Sequence, residues 1–201
     1  ASPSKGFICK DLDPGSLAAA YERGGGAALS VLTDSHFFKG SLKDLKAARE
    51  ATSLPVLRKD FIISEYQVYE AAAHGADAVL LIMRILDKKQ LTDLMSLCAE
   101  LGIDALVEVH TLAELETAAL SGAILIGINN RNLASFETDI NNAIVMSASV
   151  RPGMIAVAAS GIYSRADIEK NLSTGISRFL IGESLVRSSD PESLLKHLVN
   201  G

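Results

Sequence analysis

Five short apolar runs in this chain end in, or are interrupted by, polar residues that a buried strand would not hold without a reason. Lys59 follows Leu54-Pro-Val-Leu-Arg, Glu108 interrupts Ala105-Leu-Val-Glu-Val, and Asn129 ends Ile124-Leu-Ile-Gly-Ile ahead of Asn130-Arg131. Ser160-Gly161 follows Ile155-Ala-Val-Ala-Ala, and Gly182-Glu183-Ser184 follows Phe179-Leu-Ile. A lysine and a glutamate facing one cavity can serve as general acid and general base. Burial favours the neutral lysine and a nearby anion the charged one, so the sequence leaves its protonation open. Glycines at the last two turns would let backbone N–H groups come close to a ligand, and in barrels these loops frequently hold phosphate.

Each residue also has a plainer reading. Lys59 could be a loop residue paired with Asp60, Glu108 an acid held by one arginine, Asn129 a turn cap, and the glycines mere turn formers. The repetition on consecutive units tips the balance towards a site, because unpaired buried charges cost several kcal/mol each.

The elements that must position these residues follow a steady rhythm. Candidate strands are 27–32, 54–57, 78–82, 105–109, 124–128, 155–158 and 179–181, each apolar enough to be buried on both faces. Amphipathic stretches lie between them. Ser41-Leu-Lys-Asp44, Thr111-Leu-Ala-Glu114 and Ser164-Arg-Ala-Asp167 each place a hydroxyl three residues ahead of an acid, near the capping-box arrangement. Asp190-Pro191 opens the last helix, and Gly24-Gly25-Gly26, Gly75, Gly102 and Gly122 precede apolar runs as helix stops. Alternating βα units mean a parallel sheet, open or closed into a barrel. No GxGxxG follows a strand, which disfavours dinucleotide binding. Seven strands are legible in the sequence, whereas a closed barrel of this type has eight.

Composition narrows the class. The 201 residues are 48% hydrophobic with no linker or low-complexity break, so the expectation is one barrel domain over 1–201. No apolar run approaches the roughly 18 residues of a membrane helix, and residues 1–6 do not read as a signal peptide. Net charge is −5 with Lys and Arg scattered, which argues against nucleic acid as partner. Cys9 and Cys98 form no CxxC and suit a reducing cytoplasm; His36, His74, His110 and His197 lack metal-ligand spacing.

Taken in order, the motifs resemble the indole-3-glycerol-phosphate synthase family. The resemblance rests on Ser2-Pro-Ser-Lys5-Gly6, Ser30-Val-Leu-Thr-Asp34, Phe38-Lys-Gly-Ser41, Leu57-Arg-Lys-Asp-Phe-Ile62, Gln67-Val-Tyr69, Ala76-Asp-Ala-Val-Leu-Leu81, Leu106-Val-Glu-Val-His110, Gly127-Ile-Asn-Asn-Arg-Asn-Leu133 and Ile181-Gly-Glu-Ser-Leu185. It implies a (β/α)8 TIM barrel that closes the indole ring of 1-(2-carboxyphenylamino)-1-deoxyribulose 5-phosphate, releasing carbon dioxide and water without metal or organic cofactor. It further implies that Lys59 is the general acid at the ribulose carbonyl, that Glu108 assists proton removal and dehydration, and that Asn129 orients substrate hydroxyls. Ser160, Gly161, Gly182 and Glu183 would surround the phosphate, Glu183 chiefly through its backbone N–H. Arg131 would also contact substrate, Phe38 would line the anthranilate pocket, and Ser2 and Pro3 would belong to a loop covering the substrate. The implied partner is a small phosphorylated molecule, with room for fusion to or association with other enzymes of tryptophan biosynthesis.

Two departures accompany the resemblance. The family carries Glu-x-Lys on its first strand just ahead of Ser-Pro-Ser, whereas here Ala1 alone precedes Ser2. First strand and amino-terminal extension are thus absent from this sequence, and upstream residues are expected to supply that strand. The family also reads Glu-Ser-Gly where this chain has Ala159-Ser160-Gly161, so one catalytic carboxylate is reduced to a methyl group. These departures keep two alternatives in view: a non-catalytic phosphate-ligand-binding barrel of the same descent, and another phosphate-binding barrel enzyme such as phosphoribosylanthranilate isomerase. The second is disfavoured, because that isomerase resembles a Cys/Asp acid–base pair instead.

Overall fold

Short apolar runs, most of them entered from a capped or glycine-ended helix, build a parallel sheet. A computed structural model describes residues 13–131 and 138–201. Its elements are α1 (Pro14–Arg23), β1 (Leu29–Leu32), α2 (Leu42–Glu50), β2 (Val56–Lys59), α3 (Glu65–Ala73), β3 (Ala78–Ile82), α4 (Lys88–Leu101), β4 (Asp104–Val109) and α5 (Leu112–Leu120). They continue with β5 (Leu125–Asn129), α6 (Asn141–Ser147), β6 (Ile155–Ala159), α7 (Arg165–Leu172), β7 (Phe179–Leu180), α8 (Glu183–Arg187) and α9 (Pro191–Asn200). The strands pair in sequence order, all parallel, and curl into a nearly closed barrel.

Residue parity along each strand separates two kinds of packing. Val56, Val79, Leu81, Val107, Val109, Ile126 and Ile128 pack outwards with the helices in the main core. Leu57, Leu80, Ile82 and Leu106 fill the barrel interior with Leu125, Val157 and Leu180 against them. The helices close their ring further than the strands do. Among the described residues β1 and β7 form the sheet's two edges, yet α1 packs against both α2 and α9, and Arg23 Nε meets Glu192 at 2.8 Å.

The helix signals read from sequence form as caps. Ser41, Thr111 and Asp190 accept from the backbone N–H three residues on, and Ser164 with Asp167 completes a full capping box. Asp87 with Gln90 makes a second such box that the sequence reading passed over, because its acceptor is a carboxylate rather than a hydroxyl. Gly75, Gly102 and Gly122 all take positive φ directly after helices. No helix among the described residues is long and apolar enough to cross a membrane.

One strand lies two residues later than its apolar run suggests: β2 covers Val56–Lys59 rather than 54–57. Pro55 has no N–H to give a ladder, but its carbonyl accepts from Leu29 N–H at 2.8 Å and so starts the pairing. The register Leu29↔Val56 to Leu32↔Lys59 then carries both charged residues into the strand. Lys59 therefore ends the strand instead of following it.

Candidate active site

Parity within β2 and β4 sends Lys59 and Glu108 to the barrel interior, at the carboxyl ends of their strands. Ile82, the last residue of β3, pairs with Glu108 and lies on the strand between them. Across it Lys59 Nζ reaches Glu108 Oε2 at 3.7 Å. The lysine side chain is 25% exposed and the glutamate 5%, so the cation stands at the mouth and the carboxylate lies deeper. Neither of the plainer readings describes this pair. Asp60 answers Arg58, not Lys59, and Glu108 meets a lysine and a histidine, not an arginine.

Arg58, one residue earlier, faces outwards. Its guanidinium is buried, donating to Thr33 Oγ1 at 3.2 Å, the Gln67 carbonyl at 2.9 Å and Asp60 Oδ2 at 3.1 Å, and pairing with Glu70 Oε2 at 2.8 Å. Asp60 also accepts from the Thr33 hydroxyl at 2.6 Å. This network bolts β1, β2 and α3 together directly behind Lys59. The sequence reading missed it. The available signal was a charge at an outward strand position, which needs an acid from the covering helix, and Glu70 supplies one.

His110 was also missed as a site residue. It stands two positions after Glu108 and so on the same face of the chain, with its side chain 3% exposed. Nε2 lies 3.5 Å from Glu108 Oε1, and Nδ1 lies 3.4 Å from Glu114 Oε2. Glu114 in turn accepts from the His110 backbone N–H at 2.6 Å and faces Arg84 Nε at 3.5 Å. Burial holds the imidazole below its ordinary pKa; the two carboxylates pull it up, and Arg84 adds to the depression.

Asn129 ends β5 facing the interior, and its Oδ1 accepts from Arg131 N–H at 2.9 Å, so it does cap a turn. Asn142 clamps the backbone behind it, donating to the Asn129 carbonyl at 2.9 Å and the His110 carbonyl at 3.4 Å. Arg131 extends from this turn to α8, where Nη2 meets Glu183 Oε2 at 3.1 Å. Arg187 Nε meets the other oxygen, Oε1, at 3.1 Å, and the Tyr163 hydroxyl donates to Oε2 at 3.4 Å. The Glu183 carboxylate is thus occupied by two guanidinium groups.

The turn after β6 is strained and tightly held. Ser160 adopts φ 68° and Gly161 φ 79°, the first unusual for a residue with a side chain. The Ser160 carbonyl accepts from Asn130 Nδ2 at 3.0 Å. A Cβ on Gly161 would come within 2.6 Å of the Thr138 methyl. Since Ala158 pairs with Phe179 and Ala159 with Leu180, this turn and Gly182-Glu183 lie side by side. Ala159 itself is buried and inward-facing, opposite Asn129.

Phe38 belongs to the loop after β1 and stacks on Phe61, with ring centroids 5.8 Å apart and planes 23° apart. That loop doubles back so closely that a Cβ on Gly40 would stand 2.0 Å from the Leu32 carbonyl oxygen. Ser2 and Pro3 lie outside the described residues.

Comparison with known proteins gives the family of the chain. Residues 1–198 match the family of indole-3-glycerol phosphate synthase. The protein of that name from Desulfosudis oleivorans is 61% identical over 199 residues, which is 99% of this chain and 76% of the relative. Its counterpart in Syntrophobacter fumaroxidans is 51% identical over 197 residues, 98% of this chain and 74% of that protein. Among solved structures, 3-hexulose-6-phosphate synthase from Salmonella typhimurium superposes with TM-score 0.76 at 16% identity, covering 94% of this chain and 93% of that one. That likeness concerns the fold alone and supports a TIM barrel. The sequence matches go further: this chain belongs to the indole-3-glycerol phosphate synthase family.

Proposed function

We propose that the protein converts 1-(2-carboxyphenylamino)-1-deoxyribulose 5-phosphate to indole-3-glycerol phosphate, carbon dioxide and water. The observation that carries this reading is the Lys59–Glu108 pair at 3.7 Å, a cation and an anion held together at the mouth of the barrel. As the aromatic carbon bearing the carboxylate bonds to the ribulose carbonyl carbon, the carbonyl oxygen gains negative charge. Lys59 donates the proton that neutralises it. Loss of carbon dioxide returns the electron pair to the ring; the new hydroxyl then leaves as water with a proton drawn from solvent, and loss of a proton from the adjacent methylene completes the indole. Glu108 takes up the proton released in that dehydration, and Asn129 orients the ribulose hydroxyls.

The adjoining Ser160-Gly161 and Gly182-Glu183 turns hold the phosphate through backbone N–H groups. Two arginines already engage the Glu183 carboxylate, which offsets its repulsion of a phosphate. Arg131, joined to it, lies between the phosphate end and the reacting end. Phe38, stacked on Phe61, offers an apolar face to the anthranilate ring. The reaction belongs to tryptophan biosynthesis in the cytoplasm, where association with neighbouring enzymes of that route is the expected setting.

Ala159 favours one competing reading, a barrel that binds the phosphorylated ligand without turning it over. The two are separated by following indole fluorescence with the anthranilate-linked substrate beside calorimetric binding of a reduced, unreactive analogue. Turnover supports the synthase; tight binding with no product supports the binder.

A further inference from the structure

His110 is buried between two carboxylates, and the chemistry above gives it no task. A neutral imidazole has one N–H and one lone pair, so it can satisfy only one of its two neighbours. Protonation would serve both, but burial opposes it. The two acids are not equivalent. Glu114 already receives the His110 backbone N–H at 2.6 Å and the Arg84 guanidinium at 3.5 Å. Glu108 has Lys59 at 3.7 Å from Oε2, while its Oε1 faces the imidazole. Placing the single proton on Nε2 therefore serves the less compensated acid. Among the described residues neither ring nitrogen makes a formed hydrogen bond, and the two carboxylates at 3.4 and 3.5 Å are the acceptors that face them.

We propose that His110 is a positioning residue: its Nε2–H holds Oε1 of Glu108, which leaves Oε2 turned to Lys59 and the substrate. This rests on the reading of Glu108 as the reacting carboxylate. At 3.5 Å the contact is not yet a formed hydrogen bond, and catalytic hydrogen bonds that are long before substrate binds commonly tighten when it does. The chain of side chains Lys59, Glu108, His110, Glu114, Arg84 alternates in charge around the neutral ring. The carboxylate thereby sits between two fixed donors on opposite oxygens.

The test uses the full-length protein and compares His110→Leu, His110→Gln, Glu108→Gln and the double variant Glu108→Gln/His110→Leu. Leucine keeps the bulk and loses the donor; the glutamine amide can place an N–H near the Nε2 position. His110→Leu is expected to lower kcat by about 10–100-fold with KM within about threefold, the scale seen when a supporting partner is lost. His110→Gln should recover kcat to within about threefold of the parent, and His110→Leu should change the residual rate of Glu108→Gln by less than about twofold. His110→Leu at parental kcat, or His110→Gln as impaired as His110→Leu, would overturn the proposal. Parental turnover in Glu108→Gln would instead refute the role of Glu108 itself. Nitrogen NMR of the parent is independent of any variant's folding. It should show the ring protonated on Nε2 at neutral pH, and a ring protonated on Nδ1 would equally overturn the assignment.

Discussion

Replacing Arg58 by methionine keeps most of the side chain's volume and removes every donor it carries. The guanidinium is 5% exposed and faces Asp60 and Glu70, whose side chains are 11% and 21% exposed. After the change Asp60 retains the Thr33 hydroxyl and the Phe61 N–H, but Glu70 loses its cation, and the Gln67 carbonyl loses its donor. Breaking a buried pair by removing one partner costs about 3–5 kcal/mol, much of it the charge left behind. For a domain of this length each kcal/mol moves Tm by about 2–4 °C, so Arg58→Met should melt roughly 6–20 °C lower. Calorimetry and urea unfolding provide the assay. A double change, Arg58→Met with Glu70→Leu, should recover part of the loss, since an apolar replacement of both partners is often near neutral. If Arg58→Met costs less than about 1 kcal/mol, the network is not what fixes β2 behind Lys59.

Gly40→Ala should destabilise by at least about 1–3 kcal/mol in urea, because the added methyl meets the Leu32 backbone rather than a movable side chain; an unchanged midpoint would contradict the tight return of that loop. His110, facing Glu108, Glu114 and Arg84 with Lys59 beyond, titrates below its ordinary value in the fold, so the unfolded chain binds its proton first. The resulting stability is complete above about pH 6.5 and is lost as pH falls towards the folded value, so His110→Gln should lose less Tm than the parent between pH 7.5 and about pH 5.5. Equal losses in both proteins would show that the ring does not titrate differently on folding. Ala159→Glu, placing a carboxylate at the inward-facing end of β6 opposite Asn129, should raise kcat with little gain in Tm. An unchanged or lower kcat would mean that this lineage works without the second acid.

The βα rhythm was legible because the central strands are apolar on both faces and most helices, α1, α2, α4, α5, α7 and α9, open on a side-chain cap, both of which are local properties. Lys59, Glu108 and Asn129 could be found for the same reason, as polar residues at the ends of apolar runs. What could not be read was which charge answers which. Asp60 is adjacent to Lys59 in sequence, yet strand parity turns it to Arg58, while Glu108 reaches Lys59 across β3. Glu183 likewise finds Arg131, far back in the chain, as well as Arg187 one helical turn on. The displacement of β2 had a related cause. An apolar run ends at Leu57, but the strand continues because Thr33, Glu70 and Asp60 receive Arg58, and none of these contacts is visible in a local window. Residues 1–12, with the lysine- and serine-bearing segment ahead of α1, lie outside the described region, as do 132–137.

The central claim is that Lys59 delivers a proton while Glu108 stands beside it, and Lys59→Ala tests it most directly in the full-length protein. Single-turnover formation of indole-3-glycerol phosphate, followed by fluorescence, should slow by about 10²–10⁴-fold, the usual contribution of a general acid. Calorimetric affinity for the reduced substrate analogue should change by less than about threefold, because the proposed phosphate site lies on the turns after β6 and β7 rather than on β2. A single-turnover rate within a few-fold of the parent, or a loss confined to binding, would contradict the account.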